Sequence, residues 1–500
     1  MPTTPRRETR WWTLTAVALA TFVTSLDNTV VNVALPSIQR DLHLSLAGLE
    51  WVASAYILVF ASLLLAGGRL ADRYGRRRLF LAGLALFTGA SLAAGLASTG
   101  GVLIAARAAQ GVGAALLAPT TLAIISTTFP RERERNLAIA AWSAVAALAL
   151  ALGPLTGGLL AQHWHWSAIF FVNVPVGLAT LTVGRLAIPE SRATAARSLD
   201  LPGLGACTVG LSALTYALIS GHAVGWTSRT VAGSLALAAT AGAAFALIEV
   251  RARAPMVDVS LFRSRVFTGG TAAMMLWGLA VMGIYFFTSL YLQAILGLSP
   301  TTAGAAFVPL ALLMAAGAPL ASALTPRIGA HRTVAAGFVL VAAGLLAVSR
   351  LGAGGGLADL MPGFVLVGVG SGLTTPLTAS ILGVVPPERA GVASGILNAA
   401  REVSALLGVT VIGAILTTRQ ATAAGHGATP TRAFLAGYTT GLVAAAVLML
   451  AGAVLTLHVL DRRKVAPRSQ PAPIPAEPVP AAPVPAPSRP ATQALPEPVG

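Results

Sequence analysis

Long apolar stretches alternate with short polar segments along the chain as far as about residue 460. A helix needs about 20 mainly apolar residues to cross a bilayer, and fourteen stretches meet that length. An even number of spans puts both termini on one side of the membrane. The fourteen predicted helices begin near Trp11, Gly48, Leu79, Val102, Leu137, Ser167, Leu201, Thr230, Phe267, Thr301, Thr333, Asp359, Val392 and Phe434.

The composition supports this interpretation. Hydrophobic residues make up 55% of the 500 residues and charged residues only 10%, whereas about 25% of an average globular protein is charged. These values exclude a soluble enzyme, and they exclude disorder over most of the length. The sequence therefore predicts an all-α polytopic membrane protein.

The positive charges are concentrated in alternate loops. Twenty-four of the 33 Lys and Arg residues lie in every second connection or in the two flanks, and only five lie in the opposite loops. Cytoplasmic loops carry such an excess in membrane proteins, so both termini are expected in the cytoplasm. The net charge of +16 is then an orientation signal and does not point to a nucleic-acid partner.

Several classes of chemistry find no support in the sequence. Cys207 is the only cysteine, and the seven histidines are scattered, so we expect neither a disulfide nor a metal site. The only lysine is Lys464, beyond the last predicted helix, so a phosphate-binding loop of the Gly-Lys type is missing. No cofactor is expected, and the energy source would be the proton motive force.

An internal duplication relates the two parts of the chain. Gly83 matches Gly337 at an offset of 254 residues, and Gly113 matches Gly370 at an offset of 257. Further identities share the same register. Helices 1 to 6 and helices 9 to 14 are therefore predicted to form two parallel repeats, with substrate bound near the bilayer midplane between them.

The short loop between helices 2 and 3 carries the densest charge cluster, from Gly68 to Arg78. Asp72 is surrounded there by five arginines and could form ion pairs that break and re-form as the halves move. The glycines at both ends of the cluster favour tight turns. The alternative is an ordinary solvated loop that only sets the orientation.

Three charged residues fall inside predicted helices, namely Asp27, Arg107 and Glu402. A charge at membrane depth costs about 2.5 to 3.5 kcal/mol and seldom persists without a function. Buried carboxyl groups can exchange protons near neutral pH, so these residues are candidates for proton coupling. As alternatives, Asp27 could be a polar helix contact, Glu402 could pair with the adjacent Arg401, and Arg107 could compensate a buried acid.

Polar and aromatic residues on the same helices could line a cavity. Asn28 and Asn32 are four residues apart on helix 1, and Asn398 and Glu402 are four apart on helix 13, so each pair shares a helix face. Aromatic walls would suit lipophilic cations. Taken singly, each aromatic is as well explained by helix packing or a membrane-interface belt. The aromatic candidates are Tyr56, Trp277, Tyr285 and Tyr291.

The helix 2 to 3 segment resembles the hallmark G-x-x-x-D-R-x-G-R-R of the major facilitator superfamily. The matching residues are Gly68, Asp72, Arg73, Gly75, Arg76 and Arg77. Within that superfamily the chain is similar to the 14-helix drug:proton antiporters. The similarity also rests on Leu26 to Pro36 in helix 1, Arg107 to Gly113 in helix 4 and the helix 5 antiporter pattern, whose residues are Gly153, Pro154, Gly157 and Gly158.

This resemblance implies the major facilitator fold, with two six-helix repeats and two extra central helices. It also implies a conformational switch in the helix 2 to 3 segment, a part for Arg107 in proton transfer, and close packing and a kink in helix 5. The predicted organisation is a cytoplasmic N-terminus (1–10), an N-terminal bundle (11–190), two linker helices (199–250), a C-terminal bundle (266–460) and a disordered Pro/Ala-rich tail (461–500).

The sequence thus predicts a monomeric exporter of the bacterial inner membrane, with no enzymatic activity. It would exchange protons for small amphipathic drugs or metabolites by alternating access. Its partners would be the lipid bilayer, protons and the substrate. One alternative is a narrow-specificity exporter of an endogenous antibiotic or metabolite. A remote one is a membrane glycosyltransferase, for which the outer face offers only the well-separated acids Asp41, Glu50 and Asp359. A transport-inactive sensor is disfavoured by the intramembrane charges.

Overall fold

The computed structural model describes residues 7–192, 200–252, 255–386 and 389–460. Within these ranges, fourteen helices are long and apolar enough to cross a membrane. They are α1 (Thr9–Leu42), α2 (Leu46–Tyr74), α3 (Arg76–Gly95), α4 (Gly100–Thr128), α5 (Glu132–His163), α6 (Ala168–Ala187), α7 (Leu201–Gly221), α8 (Arg229–Arg251), α9 (Arg265–Ile295), α10 (Pro300–Ile328), α11 (Ala330–Ser349), α12 (Leu357–Leu382), α13 (Val392–Gly425) and α14 (Pro430–Val459).

The predicted helices are confirmed, and every predicted start lies within five residues of the observed one. Most observed helices begin slightly earlier because a polar residue caps the first turn ahead of the apolar stretch. Ser45 accepts a hydrogen bond from the Gly48 backbone N–H at 3.2 Å, and Ser299 accepts one from Thr302 at the same distance. Such caps satisfy backbone donors at helix starts. Predictions for residues 1–6 and for the tail 461–500 lie outside the described residues.

The internal duplication is visible in how the helices pack. In the N-terminal repeat α3 packs on α4, and in the C-terminal repeat α11 packs on α12. A side-chain carbon at Gly83 would lie 2.8 Å from the Gly113 carbonyl oxygen, and one at Gly337 would lie 2.6 Å from that of Gly370. The two repeats therefore contain the same close helix crossing, for which only glycine leaves room.

Helices α1–α6 form the N-terminal half and α9–α14 the C-terminal half. The two extra helices lie outside this pair: α7 packs against α2 and α13, where the halves meet, and α8 packs against α7. The C-terminal half also contacts the N-terminal half through α10, which packs on α5. The chain is thus a two-bundle membrane protein with an accessory helix pair beside one seam.

The halves are in contact at the end of the bundle opposite the arginine-rich loops. The Gln293 side-chain amide of α9 donates a hydrogen bond to the Val33 carbonyl oxygen of α1 at 2.8 Å. The Thr301 backbone N–H of α10 donates to the Gln162 side-chain oxygen of α5 at 3.1 Å. These contacts close one end of the space between the halves.

Candidate functional site

A buried polar cluster occupies the interior of the N-terminal half. Asp27 of α1 is fully buried and Arg107 of α4 is 1% exposed. The Arg107 guanidinium forms a salt bridge with the Asp27 carboxylate and donates a hydrogen bond to the Val52 carbonyl oxygen of α2 at 3.2 Å. It also lies 4.6 Å from the centre of the Tyr56 ring. The structure therefore brings two of the predicted coupling residues together as one ion pair.

Three further polar residues complete this cluster. Gln110 of α4 donates to Asp27 Oδ1 at 2.9 Å and to Ser91 Oγ of α3 at 2.8 Å. Asn173 of α6 donates to the same Asp27 oxygen at 2.8 Å. Hydrogen bonds to a buried carboxylate offset part of the cost of removing it from water. The cluster, defined as Asp27, Ser91, Arg107, Gln110 and Asn173, links α1, α3, α4 and α6.

Sequence reasoning missed Gln110, Ser91 and Asn173 as members of this cluster. Gln110 follows Arg107 by three residues and therefore shares its helix face, which is a signal that the spacing could have supplied. Asn173 and Ser91 lie on other helices, so only the packing of the bundle reveals them. Asp27 does bond to an asparagine of another helix, as the alternative interpretation expected, and Arg107 does compensate a buried acid.

A cavity of about 1860 Å³ lies between the two halves. Its wall includes Arg69, Asp72 and Asp258, so it reaches the arginine-rich end of the bundle, while the opposite end is closed. Both halves contribute side chains, as the repeat architecture predicts. Of the predicted cavity residues, the wall contains Asn28, Asn32, Tyr56, Trp277, Tyr285 and Asn398.

Glu402 of α13 also lines this cavity. Arg401 acts on it electrostatically, but within the described part of the chain no hydrogen bond or salt bridge joins the two side chains. Neighbouring residues on a helix point in different directions, which explains the missing contact. Asp27 is neutralised within its own half, whereas Glu402 presents its carboxyl group to the open space between the halves.

Tyr56 connects these two environments. Its side chain is 2% exposed, and it belongs both to the cavity wall and to the surroundings of Arg107. Tyr56 therefore lies between the buried polar cluster and the cavity that Glu402 also lines.

The prediction for Tyr291 is wrong. This residue lies at the end of α9, away from the cavity, and its ring stacks on Tyr438 of α14 with the ring centres 4.9 Å apart. Its hydroxyl group donates a hydrogen bond to the Gly352 carbonyl oxygen at 2.9 Å. Tyr291 is fully buried and packs within the C-terminal half, which is the role that helix packing alone would give it.

Most of the predicted switch segment is helical, and only Gly75 lies between the two helices. Gly68 lies inside α2 and faces Pro119 of α4, so the expectation of a turn at this glycine is wrong. The chain turns at Gly75 alone, which has φ 112° and separates α2 from α3. Only glycine adopts such a conformation readily. The connection is short because α2 ends directly before Gly75 and α3 begins directly after it.

The switch segment contains one ion pair and makes two further contacts. Arg76 donates to Asp72 Oδ1 at 2.9 Å across the turn. The Arg77 backbone N–H donates to Glu190 Oε1 at 3.2 Å, and the Arg73 guanidinium lies 5.6 Å from the centre of the Tyr74 ring. The segment thus differs from an ordinary solvated loop, because Arg76 and Asp72 form an ion pair across the turn and the Arg77 backbone contacts the chain after α6.

The four residues of the helix 5 pattern lie where α5 meets other helices. Pro154 is inside α5. A side-chain carbon at Gly157 would lie 2.6 Å from the Val30 carbonyl oxygen of α1, and one at Gly158 would overlap the Pro300 carbonyl oxygen of α10. Gly153 leaves room for the Thr29 hydroxyl group. The glycines therefore allow α5 to contact both α1 of its own half and α10 of the other.

A search of the described residues finds no group of three or more His, Cys, Asp or Glu side chains that could hold a metal ion. Cys207 is a free thiol on α7.

The chain is similar in sequence to two proteins named for resistance or export. The tetracenomycin C resistance and export protein of Streptomyces glaucescens is 38% identical over 84% of this chain and 78% of its own length. The multidrug resistance protein Stp of Mycobacterium tuberculosis is 39% identical over 82% of this chain and 76% of its own length.

A similar fold is found in a crystal structure of a bacterial homologue of the human lysosomal transporter Spinster, in an inward-facing, unoccupied conformation. The TM-score is 0.65 at 16% identity, covering 91% of this chain and 98% of that one. Residues 17–409 match the Major Facilitator Superfamily model. With this match, the two-bundle fold and the relatives named above, the chain is a multi-pass membrane transporter that belongs to the major facilitator superfamily.

Proposed function

We propose that the protein exports small amphipathic molecules across the bacterial inner membrane in exchange for protons. The proposal is supported by the cavity between the halves and by relatives named as antibiotic or multidrug resistance and export proteins. Transport would follow alternating access, in which the halves rock around a site near the bilayer midplane. The protein would act as a monomer and without a cofactor.

The arginine-rich end is assigned to the cytoplasm by the excess of basic residues in its loops. Both termini then lie in the cytoplasm, and the cavity opens toward the cell interior. A transporter in this state is ready to take substrate from the cytoplasm or from the inner leaflet. The closed end, where Gln293 meets Val33, would then face the outside.

The substrate class follows from the cavity wall. Trp277 and Tyr285 supply aromatic surface, and the Trp277 indole N–H is a buried donor with no partner in the described part of the chain. Glu402 supplies an acidic group without a salt bridge there. Aromatic rings beside a carboxylate favour lipophilic cations through stacking, cation–π contact and charge. The unpaired Glu402 is the observation that supports this proposal most strongly.

Proton coupling would use the two intramembrane acids in different ways. Protonation of Glu402 would remove the charge that holds a cation, and so favour release. Protonation of Asp27 would break its salt bridge and leave Arg107 free to interact elsewhere, including with Glu402 through the region of Tyr56. A charge crossing the membrane potential gains about 2.3 kcal/mol per 100 mV, so one or two protons can sustain a useful gradient.

The second candidate is an exporter with narrow specificity for an endogenous antibiotic or metabolite. One relative is named for resistance to a single antibiotic, tetracenomycin C. The large cavity favours broad specificity, since about 1860 Å³ exceeds the 300 to 1,000 Å³ of an ordinary small-molecule pocket.

The direct test uses everted membrane vesicles with an acid interior, reported by a quenched fluorescent dye. Addition of tetraphenylphosphonium or another lipophilic cation is expected to release protons and restore fluorescence in vesicles that contain the wild-type protein. Vesicles with the Asp27→Asn variant are expected to give no response. Neutral antibiotics tested in the same way distinguish broad from narrow specificity. The proposal is wrong if folded, abundant wild-type protein gives no response to any compound.

A further inference from the structure

Glu50 is a buried carboxyl group that the transport scheme above does not use. It lies near the start of α2, at the end opposite the arginine-rich loops, and only 1% of the residue is exposed. The sequence placed this acid on the outer face, and the structure places it at that end of the bundle but buries it. Its Oε1 atom has no hydrogen-bond partner in the described part of the chain. Buried polar atoms are nearly always paired, so this one calls for an explanation.

The carboxyl group lies against α13, in the other half of the protein. A side-chain carbon at Gly413 would lie 2.5 Å from Glu50 Oε1, so the glycine leaves the space that the carboxyl group fills. Glu50 is therefore enclosed between α2 and α13, where the two halves are in contact. If the halves separate at this end, as alternating access requires, α13 would move away and the carboxyl group would meet water.

Within the described residues, Glu50 forms no salt bridge, and its Oε1 atom accepts no hydrogen bond. The helices with the most extensive packing against α2 are α4, α7 and α13. None of the titratable or charged side chains of those helices is paired with the Glu50 carboxyl group in the described part of the chain. Within the described residues these side chains are Arg107 of α4, Cys207 and Tyr216 of α7, and Arg401, Glu402 and Arg419 of α13.

We propose that Glu50 is a further proton-binding site, which takes its proton from the outer solution as the outer end of the transporter closes. An ionised carboxylate without a counter-charge is strongly disfavoured in a dry interface, whereas the neutral acid is tolerated there. Closure would therefore bind a proton and opening would release it. Because the site is closed off in the inward-facing state, the proton returns outside and the site makes the conformational equilibrium depend on external pH.

This inference needs only the alternating access of the family and is independent of the substrate and of coupling through Asp27 or Glu402. It is tested by electron–electron double resonance in proteoliposomes, with spin labels on the outer ends of the two halves. Gly101→Cys on α4 and Ala424→Cys on α13 are suitable, because a side chain at Gly101 meets nothing within 4 Å and Ala424 is exposed. Cys207→Ser removes the native thiol.

In the labelled wild-type background, raising the pH from about 5 to about 9 is expected to increase the population with a long distance between the labels. A single proton site changes the ratio of open to closed states by at most about tenfold per pH unit. Glu50→Gln and Glu50→Leu both remove the charge and are expected to keep the short distance at every pH. Glu132→Gln, at an exposed acid in the first turn of α5, is the matched control and is expected to retain the pH response.

Two neutral variants are used so that a folding defect in one does not decide the outcome. If either folded Glu50 variant retains the pH response of the wild-type background, the proposal is overturned. A wild-type background whose distances do not change with pH overturns it as well. Neither result bears on substrate export, which the vesicle assay measures separately.

Discussion

The Asp27 carboxylate forms a salt bridge with the Arg107 guanidinium inside the N-terminal half. Glu402, in contrast, faces the cavity without a salt bridge in the described part of the chain. The first acid belongs to a network of hydrogen bonds that links four helices. The second is free to meet a substrate. The two intramembrane acids therefore have different expected roles, and substitutions at each should have different consequences.

Asp27→Asn is expected to abolish proton-driven transport and to destabilise the protein. The substitution leaves the Arg107 charge buried and unpaired, which costs about 3 to 5 kcal/mol in measured cases. Thermal unfolding in detergent measures the loss of stability, and the vesicle assay measures the loss of transport.

The companion variant Asp27→Asn/Arg107→Gln removes both charges. It is expected to recover much of the lost stability while remaining inactive, since an intact pair is needed for exchange. A double variant that is no more stable than Asp27→Asn would show that the unpaired Arg107 charge is not the cause of the lost stability.

Glu402→Gln is expected to leave the fold intact, because this side chain makes no salt bridge or hydrogen bond among the described residues. Loss of the charge should weaken binding of tetraphenylphosphonium by about tenfold, which corresponds to about 1.4 kcal/mol. Isothermal titration calorimetry on purified protein gives the affinity. Glu132→Gln, at an exposed acid in the first turn of α5, is the matched control. Equal affinities for wild type and Glu402→Gln would exclude this residue from the cation site.

Gly158→Ala is expected to reduce transport by more than about tenfold, because the added methyl group would overlap the Pro300 carbonyl oxygen across the seam between the halves. The closed outer end would then be disfavoured. Gly242→Ala on α8 is the control, since a side chain there meets nothing within 4 Å. Transport rates are compared at equal protein content. Similar losses in both variants would show that the effect does not arise from the close contact.

Gly75→Ala is expected to destabilise the protein by about 1 to 3 kcal/mol, because alanine is strained at φ 112° and its methyl group would press on the Glu190 carboxylate. The connection between α2 and α3 should lose its fixed geometry. Thermal unfolding in detergent measures this effect. Gly89→Ala on α3, in open space, should be neutral. An unchanged melting temperature for Gly75→Ala would contradict the importance of this turn.

The fold could be predicted from the sequence because membrane helices need long apolar stretches and because the loop charges alternate. Both signals are local and repeat along the chain. The matching glycines at 83 and 337 added the division into two repeats, and the structure explains the match, since the same close helix crossing needs a small residue in both repeats.

The site could be predicted only in part. A charged residue within a long apolar stretch is conspicuous in the sequence, so Asp27, Arg107 and Glu402 could be identified as candidates. The partners Ser91 and Asn173 are ordinary polar residues whose importance depends on which helices meet. The prediction that Tyr291 lines the cavity was wrong because aromatic residues are common in helices. Their spacing does not distinguish a cavity wall from packing inside one half.

Substrate is proposed to leave the cell in exchange for protons through Asp27 on α1 and Glu402 on α13. The most direct measurement is uptake of radiolabelled tetraphenylphosphonium into proteoliposomes, driven by an acid interior and with the membrane potential clamped. Wild-type protein is expected to accumulate the cation against its gradient, and Asp27→Asn and Glu402→Gln are expected to accumulate none. Accumulation by both folded variants at the wild-type rate would contradict the account.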